Sequence, residues 1–128
     1  MNYCAHKFYR CRHCGNLVGM IHASGAPMTC CGEEMQELVA NTTDAALEKH
    51  VPAVTVEGDV VNVVVGSVEH PMLPEHYIQW IYLQTEHGSQ RKCLQPGEAP
   101  KASFKVVDDK PVAVYEYCNL HGLWKKEL

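Results

Sequence analysis

The sequence predicts a mainly β protein in two unequal parts, a small cysteine-stapled metal ribbon followed by an antiparallel β-sandwich. Three observations carry that reading. Cys4, Cys11, Cys14, Cys30 and Cys31 all fall near the start of the chain, leaving only Cys93 and Cys118 for the remainder. From Val51 onward the chain runs in short stretches rich in β-branched and aromatic residues, divided by turn signals. No long amphipathic helical window separates those stretches, which is the spacing of a sandwich rather than of alternating strands and helices.

The first part, residues 1–38, is too short to fold on apolar burial alone, because segments below about 40 residues bury too little surface. It needs a staple. Phe8 to Arg10 and Leu17 to His22 read as short strands, with Cys11-Arg12-His13-Cys14-Gly15 turning between them and Gly25 and Pro27 breaking the return. Asn41 to Asp44 is polar and turn-rich and reads as a linker into the second part, residues 39–128. There, Val51 to Glu57 and Val60 to Gly66 flank a Glu57-Gly58-Asp59 turn, a hairpin signal. Pro71 and Pro74 exclude a helix around His70 and His76 and favour an exposed loop. Ile78 to Thr85 and Gln90 to Leu94 flank a His87-Gly88-Ser89 turn, and Ser103 to Val107 and Val112 to Tyr117 supply the last strands.

Composition narrows the function. The chain has 128 residues, with 11 Lys and Arg against 15 Asp and Glu, a formal net charge of −4. Nucleic acids and anionic membrane surfaces select basic stripes or patches, so neither is an expected partner. The longest apolar run, Val60 to Val65 interrupted by Asn62, is far below the ~20 residues of a membrane helix. The first residues lack the charged start and apolar core of a secretory leader, so a cytoplasmic location is expected. In a reducing compartment, 7 Cys and 8 His in so short a chain point to metal ligation or redox chemistry rather than to a disulfide framework.

Two ligand sets emerge. Cys11-x-x-Cys14 is a chelating knuckle, and Cys30-Cys31 completes a four-thiolate set. Adjacent cysteines must turn their sulfurs to one point from neighbouring residues, so a strained backbone is expected there. Four thiolates select zinc or iron, and spacing does not decide between them. A Cys30–Cys31 disulfide is the weaker reading, because it strands Cys11 and Cys14. In the second part, His50, His70, His76 and the Cys118-x-x-His121 pair fall at strand ends or in the turns beside them, where sandwich loops can gather ligands. Imidazoles with one thiolate suit iron, copper or zinc.

The motifs then become specific. Glu48-Lys49-His50-Val51-Pro52, His70-Pro71-Met72, His76 and Cys118-Asn119-Leu120-His121-Gly122-x-Trp124 resemble the desulfoferrodoxin family of superoxide reductases. At the front, Tyr9-x-Cys11-x-x-Cys14-Gly15-Asn16 and Cys30-Cys31-Gly32 resemble the desulforedoxin-like domain of its two-iron members. The resemblance spans nearly the whole chain. It implies a rubredoxin- or desulforedoxin-like ribbon holding one iron on Cys11, Cys14, Cys30 and Cys31, a site zinc can also fill. It implies an immunoglobulin-like sandwich holding a second iron, with His50, His70, His76 and His121 in an equatorial plane and Cys118 as axial ligand. The sixth position is then open to superoxide, which is reduced to hydrogen peroxide. The implied partners are rubredoxin or a similar electron donor and a second copy of the chain in a homodimer.

Two further residues take roles from that resemblance. Lys49 attracts the anion against an acidic protein and helps to protonate it through water, and Glu48 is a hard oxygen ligand for the oxidised metal. An open position marks a catalytic site, whereas a structural metal is closed. The axial thiolate donates electron density, as cysteine does in haem oxygenases. Amides of the turn at Leu120 and His121 are expected donors to the Cys118 sulfur.

Other residues are expected to be structural. His6, His13, His22 and His87 read as surface or packing histidines, and Cys93 as a small buried hydrophobe. Cys4-x-His6 is an adventitious metal site at most. Trp80, Tyr82, Tyr115 and Trp124 read as core or near-site packing. The competing readings are a rubredoxin-like electron carrier, a zinc-ribbon binding module and a dismutase.

Overall fold

The computed structural model describes residues 4–128, and the chain divides into two compact units, Met1–Val39 and Ala40–Leu128. In the first unit β1 (Cys4–Arg10) lies between β2 (Leu17–His22) and β5 (Gln36–Glu37), antiparallel to both. A separate hairpin pairs β3 (Thr29–Cys30) with β4 (Glu33–Glu34). Among the described residues of this unit only Phe8, Cys11 and Met35 are buried. At about 1.5–3 kcal/mol per buried apolar side chain, that core does not offset the entropy of ordering the segment, so the ribbon needs a further source of stability such as a bound metal.

The second unit opens with one helical turn, α1 (Leu47–His50), and continues as two antiparallel sheets. One sheet has the order β10-β7-β6, formed by β6 (Pro52–Glu57), β7 (Val60–Val65) and β10 (Lys101–Lys105). The other has the order β12-β11-β8-β9, formed by β8 (Ile78–Thr85), β9 (Ser89–Cys93), β11 (Pro111–Cys118) and β12 (Gly122–Glu127). This is the immunoglobulin-like division of a sandwich, with the fourth strand, β9, added to the second sheet. Period-two alternation sets the inner faces. Val61, Val63 and Val65 of β7 meet Ile81 and Leu83 of β8, Phe104 of β10 and Val114 of β11. The β6–β7 connection is a two-residue turn, Gly58-Asp59, with Gly58 at φ +61°.

Three readings of the sequence need correction. The chain does not end its last strand at Tyr117: β11 runs on to Cys118, and β12 pairs with it from Cys118↔Gly122 to Ala113↔Glu127. Asn41 is not free linker, because its amide donates to Leu123 O (3.0 Å) and its side chain exchanges hydrogen bonds with Lys125 N (2.9 Å) and Lys125 O (3.1 Å). Cys93 is exposed, because β9 is the outer strand of its sheet and every residue of it faces solvent.

Candidate metal centres

In the ribbon, the Cys11–Cys14 knuckle closes through Gly15 N→Cys11 O (3.1 Å) and Cys11 N→Asn16 O (2.9 Å), while Cys14 N points at Cys11 Sγ (3.5 Å). The β3–β4 hairpin presents the other pair. Cys31 sits at φ +53°, the left-handed region that costs a non-glycine residue about 1–2 kcal/mol, as two neighbouring cysteines converging on one point require. The sulfurs of Cys14 and Cys30 are 3.6 Å apart, and those of Cys30 and Cys31 are 3.9 Å apart. A tetrahedral ion with metal–sulfur bonds of about 2.3 Å has sulfur–sulfur edges of about 3.8 Å, so the group fits one. The Cys14 amide, more than any other group, brings the Cys11 thiol down to about 6, whereas hydrogen bonding to the neighbouring sulfurs, first that of Cys14, pushes Cys31 up to about 12. Beside the site, Glu33 pairs with His13 and with Arg12 (3.5 Å), bracing the hairpin against the knuckle.

The second cluster is assembled from four stretches of the sandwich unit. His50 ends α1, and its Nδ1 donates to Ala46 O at 2.8 Å. His70 follows the turn after β7, with its amide on Val65 O (3.0 Å) and its Nδ1 on Pro71 O (2.7 Å). His76 closes a turn from Leu73, bonded across in both directions at 2.9 and 3.1 Å, with Pro74 at the second position where its fixed φ suits a turn. Cys118 and His121 flank and fill the three-residue β11–β12 loop, which Gly122 leaves at φ +80°.

The four imidazoles form a square. Neighbouring ring centroids are 4.6 Å (His50–His70), 4.7 Å (His70–His76), 5.1 Å (His76–His121) and 4.8 Å (His50–His121), all edge to face. The diagonal His50–His76 is 6.5 Å. Because His50 and His70 both donate from Nδ1 to carbonyls, their Nε2 atoms are unprotonated, yet these face each other at 3.2 Å. Two lone pairs so placed repel unless a cation lies between them. His50 Nε2 and His121 Nδ1 are 3.0 Å apart, the separation of adjacent nitrogens around a metal with bonds of about 2.1 Å. His76 Nε2 is buried with no hydrogen-bond partner among the described residues. The donor set therefore fits a metal ion.

Electrostatics agree. Burial, the largest influence, lowers the pKa values of His50, His70 (to about 4) and His76, so these rings are neutral near pH 7 and ready to ligate. Cys118 is buried, which raises its thiol, while the amides of Leu120 and His121 donate to its sulfur and act the other way. Two residues earlier Glu116 is fully buried, neither oxygen has a partner among the described residues, and burial pushes its carboxyl well above the usual range. Its charge, where present, also pushes the Cys118 thiol up. Cys118 lies on the core side, whereas His76 and His121 are partly exposed and Glu48 and Lys49 are in solvent. The Lys49 charge reaches both His50 and His76.

All nine sequence-proposed ligands thus fall into two convergent groups, each with its donor atoms within 4.8 Å of one another. Sequence reasoning missed Asn119, whose side chain accepts from Tyr77 N (2.9 Å) and donates to Glu75 O (3.0 Å), tying the Cys118–His121 loop to the turn that carries His76. It could not see the Ala46 and Pro71 carbonyls, which any residue type supplies. Trp124, fully buried, lies 5.0 Å from the His50 ring and donates to His121 O at 3.1 Å. His13 and His87 are surface residues, each paired with a carboxylate, Glu33 and Asp109.

Comparison with known proteins gives a consistent picture. The sequence pattern described as Desulfoferrodoxin matches residues 42–127, and that of the desulfoferrodoxin N-terminal domain matches residues 5–38. A desulfoferrodoxin of Nitratidesulfovibrio vulgaris is 48% identical over 122 residues, covering 95% of this chain and 96% of that one. The crystal structure of the superoxide reductase from Treponema pallidum superposes with a TM-score of 0.79 at 43% identity, over 94% of this chain and 98% of that one. A superoxide reductase of Giardia intestinalis, designated 1Fe-SOR, superposes at a TM-score of 0.55 and 38% identity over 63% of this chain and 99% of its own.

Proposed function

The chain belongs to the desulfoferrodoxin family, and from that premise we propose the part each of its own residues plays in the reduction of superoxide. The protein is a superoxide reductase with two iron sites: superoxide takes up one electron and two protons and leaves as hydrogen peroxide. The observation that carries the residue assignments is the square of four imidazoles with a buried thiol whose sulfur lies within 4.8 Å of their donor nitrogens.

We assign His50, His70, His76, His121 and Cys118 as the ligands of the catalytic iron in a domain of residues 39–128. Cys11, Cys14, Cys30 and Cys31 hold the rubredoxin-type iron in residues 1–38. Iron held by the four histidines and Cys118 would supply the reducing electron. Around it the protein supplies orientation and charge. The Ala46 and Pro71 carbonyls fix the tautomers of His50 and His70, and the Leu120 and His121 amides hold the Cys118 sulfur as an acceptor. Lys49 counters the net charge of −4 at close range, where screening over a Debye length of ~8 Å leaves local charges in control. Its ammonium, which makes no ion pair among the described residues, also holds a proton at Nζ for delivery through water. Glu48 supplies a hard carboxylate oxygen suited to the oxidised metal.

A cytoplasmic setting fits the reduced thiols the ribbon requires. The electron comes from a small one-electron carrier such as rubredoxin. A homodimer fits the sparse core of the ribbon and its apolar surface, where Ile21 is 86% exposed and Val39 62%. The test is Lys49→Ala. The second-order reaction with superoxide slows about tenfold and loses most of its ionic-strength dependence while two irons per chain are retained. An unchanged rate removes Lys49 from the mechanism.

A further inference from the structure

Gly66 is buried where the chain leaves β7 and passes under α1. A Cβ at this residue lies 2.6 Å from Glu48 O and 2.9 Å from both the Lys49 carbonyl carbon and Val51 O. These are backbone atoms, which cannot swing aside as the tip of a long side chain can. To regain an ordinary separation of 3.4 Å, the Glu48 carbonyl must retreat by about 0.8 Å. The next two residues grip the same oxygen: Val68 N donates to Glu48 O at 2.8 Å and Ser67 Oγ at 3.2 Å.

The helical turn has little hold of its own. It spans only Leu47–His50, has no side-chain cap, and a helix of this length is not stable in isolation. Glu48 O and Lys49 N belong to one rigid peptide plane. That plane is clamped on its oxygen edge by Ser67 and Val68 and on its nitrogen edge by Ala46 O at 3.2 Å. The clamp fixes the direction in which the Lys49 side chain leaves the backbone. The same turn runs on to His70, whose amide bonds back to Val65 O at 3.0 Å, so one short segment carries a ligand and steadies its neighbour.

We propose that the Gly66-Ser67-Val68 turn is the seat that fixes the Glu48–Lys49 segment beside the four-histidine centre, which makes Gly66 and Ser67 positioning residues for superoxide reduction. The proposal rests on the reading of Lys49 as the residue that draws in superoxide.

Ser67→Ala removes one clamp without adding bulk, and Ser67→Thr keeps the hydroxyl. In the iron-loaded protein, Ser67→Ala is expected to retain both irons and to speed amide hydrogen exchange across Leu47–Val51 about fivefold, the scale of one lost hydrogen bond. It slows the superoxide reaction about threefold, and Ser67→Thr restores both readouts. Gly66→Ala, which displaces the plane outright, slows the reaction tenfold or more. In a Lys49→Ala background Ser67→Ala adds no further slowing, because both act through one side chain. The proposal is overturned if Ser67→Ala matches the parent in exchange and rate while Lys49→Ala is slow, or if its slowing persists in full without Lys49. Should Lys49→Ala leave the rate unchanged, the steering reading falls, and the exchange data alone decide whether this turn is the seat.

Discussion

Asn119 shows how much of a metal centre rests on a residue that never touches the metal. Its side chain spans Tyr77 N and Glu75 O, and its amide reaches Tyr77 O at 3.2 Å, so the loop bearing Cys118 and His121 and the turn bearing His76 move as one. Asn119→Ala leaves every candidate ligand and the backbone bond to Tyr77 O in place but removes both side-chain ties between the two segments. Supporting groups of this kind are worth about 10–100-fold in metal affinity, so iron is lost from the histidine centre that much faster to a competing chelator, while the four-cysteine iron is unaffected. Equal retention in variant and parent would show that the loops are held by other contacts. At this scale the candidate ligands were legible in the sequence because Cys and His in these numbers have few other uses in a small acidic protein. Their supports were not legible. Ala46 and Pro71 act through carbonyls that every residue carries, and the exposure of Cys93 depends on what lies beside β9 rather than on its own type.

Elements were legible where burial writes a period. Ile78–Thr85 is rich in β-branched and aromatic residues along β8 and is bounded by turn signals, and its limits agree with the sequence reading. Gly122–Glu127 has two adjacent apolar residues followed by three charged ones, no alternation, and becomes β12 only because β11 is there to pair with it. Loops between strands need their own anchors. Asp109 accepts from Thr85 Oγ1 (2.6 Å), Lys110 N (2.8 Å) and His87 N (3.1 Å), tying the β8–β9 turn to the segment entering β11. The Thr85 hydroxyl, first among these, holds the Asp109 carboxyl at about 2, below the ordinary value near 4. A depressed carboxyl contributes stability that is complete above the ordinary value and fades as pH falls through the lowered one. Asp109→Ala therefore lowers the thermal midpoint near pH 7 by about 5 °C, and the gap to the parent closes between pH 4 and 2. A gap of constant size across that range would assign the effect to packing rather than to the ionised group.

At the scale of the whole molecule, the two units place their metals in different ways. The sandwich unit has its own core, which includes Cys118, and all five candidate ligands of the histidine centre belong to this unit. The Giardia superoxide reductase, 99% of which is covered by 63% of this chain, is a shorter protein of similar fold. A chain beginning at residue 40 is thus expected to fold, bind one iron and reduce superoxide within about twofold of the parent rate, measured by pulse radiolysis alongside iron content. Failure to fold would make the ribbon a structural partner of the sandwich. The two centres also differ in how far apart their ligands lie along the chain. Those of the ribbon are separated by at most 20 positions, Cys11 to Cys31, whereas His50 meets His121 across 71. A ribosome adding 5–20 residues per second needs about 4–14 s to cover that second span. The four-cysteine group can therefore be complete while most of the sandwich is still unmade, but the histidine centre cannot close on a metal until His121 has been added. A nascent chain short of His121 has no means of turning over superoxide, and the supply of iron once that residue has emerged decides whether a new molecule starts life active.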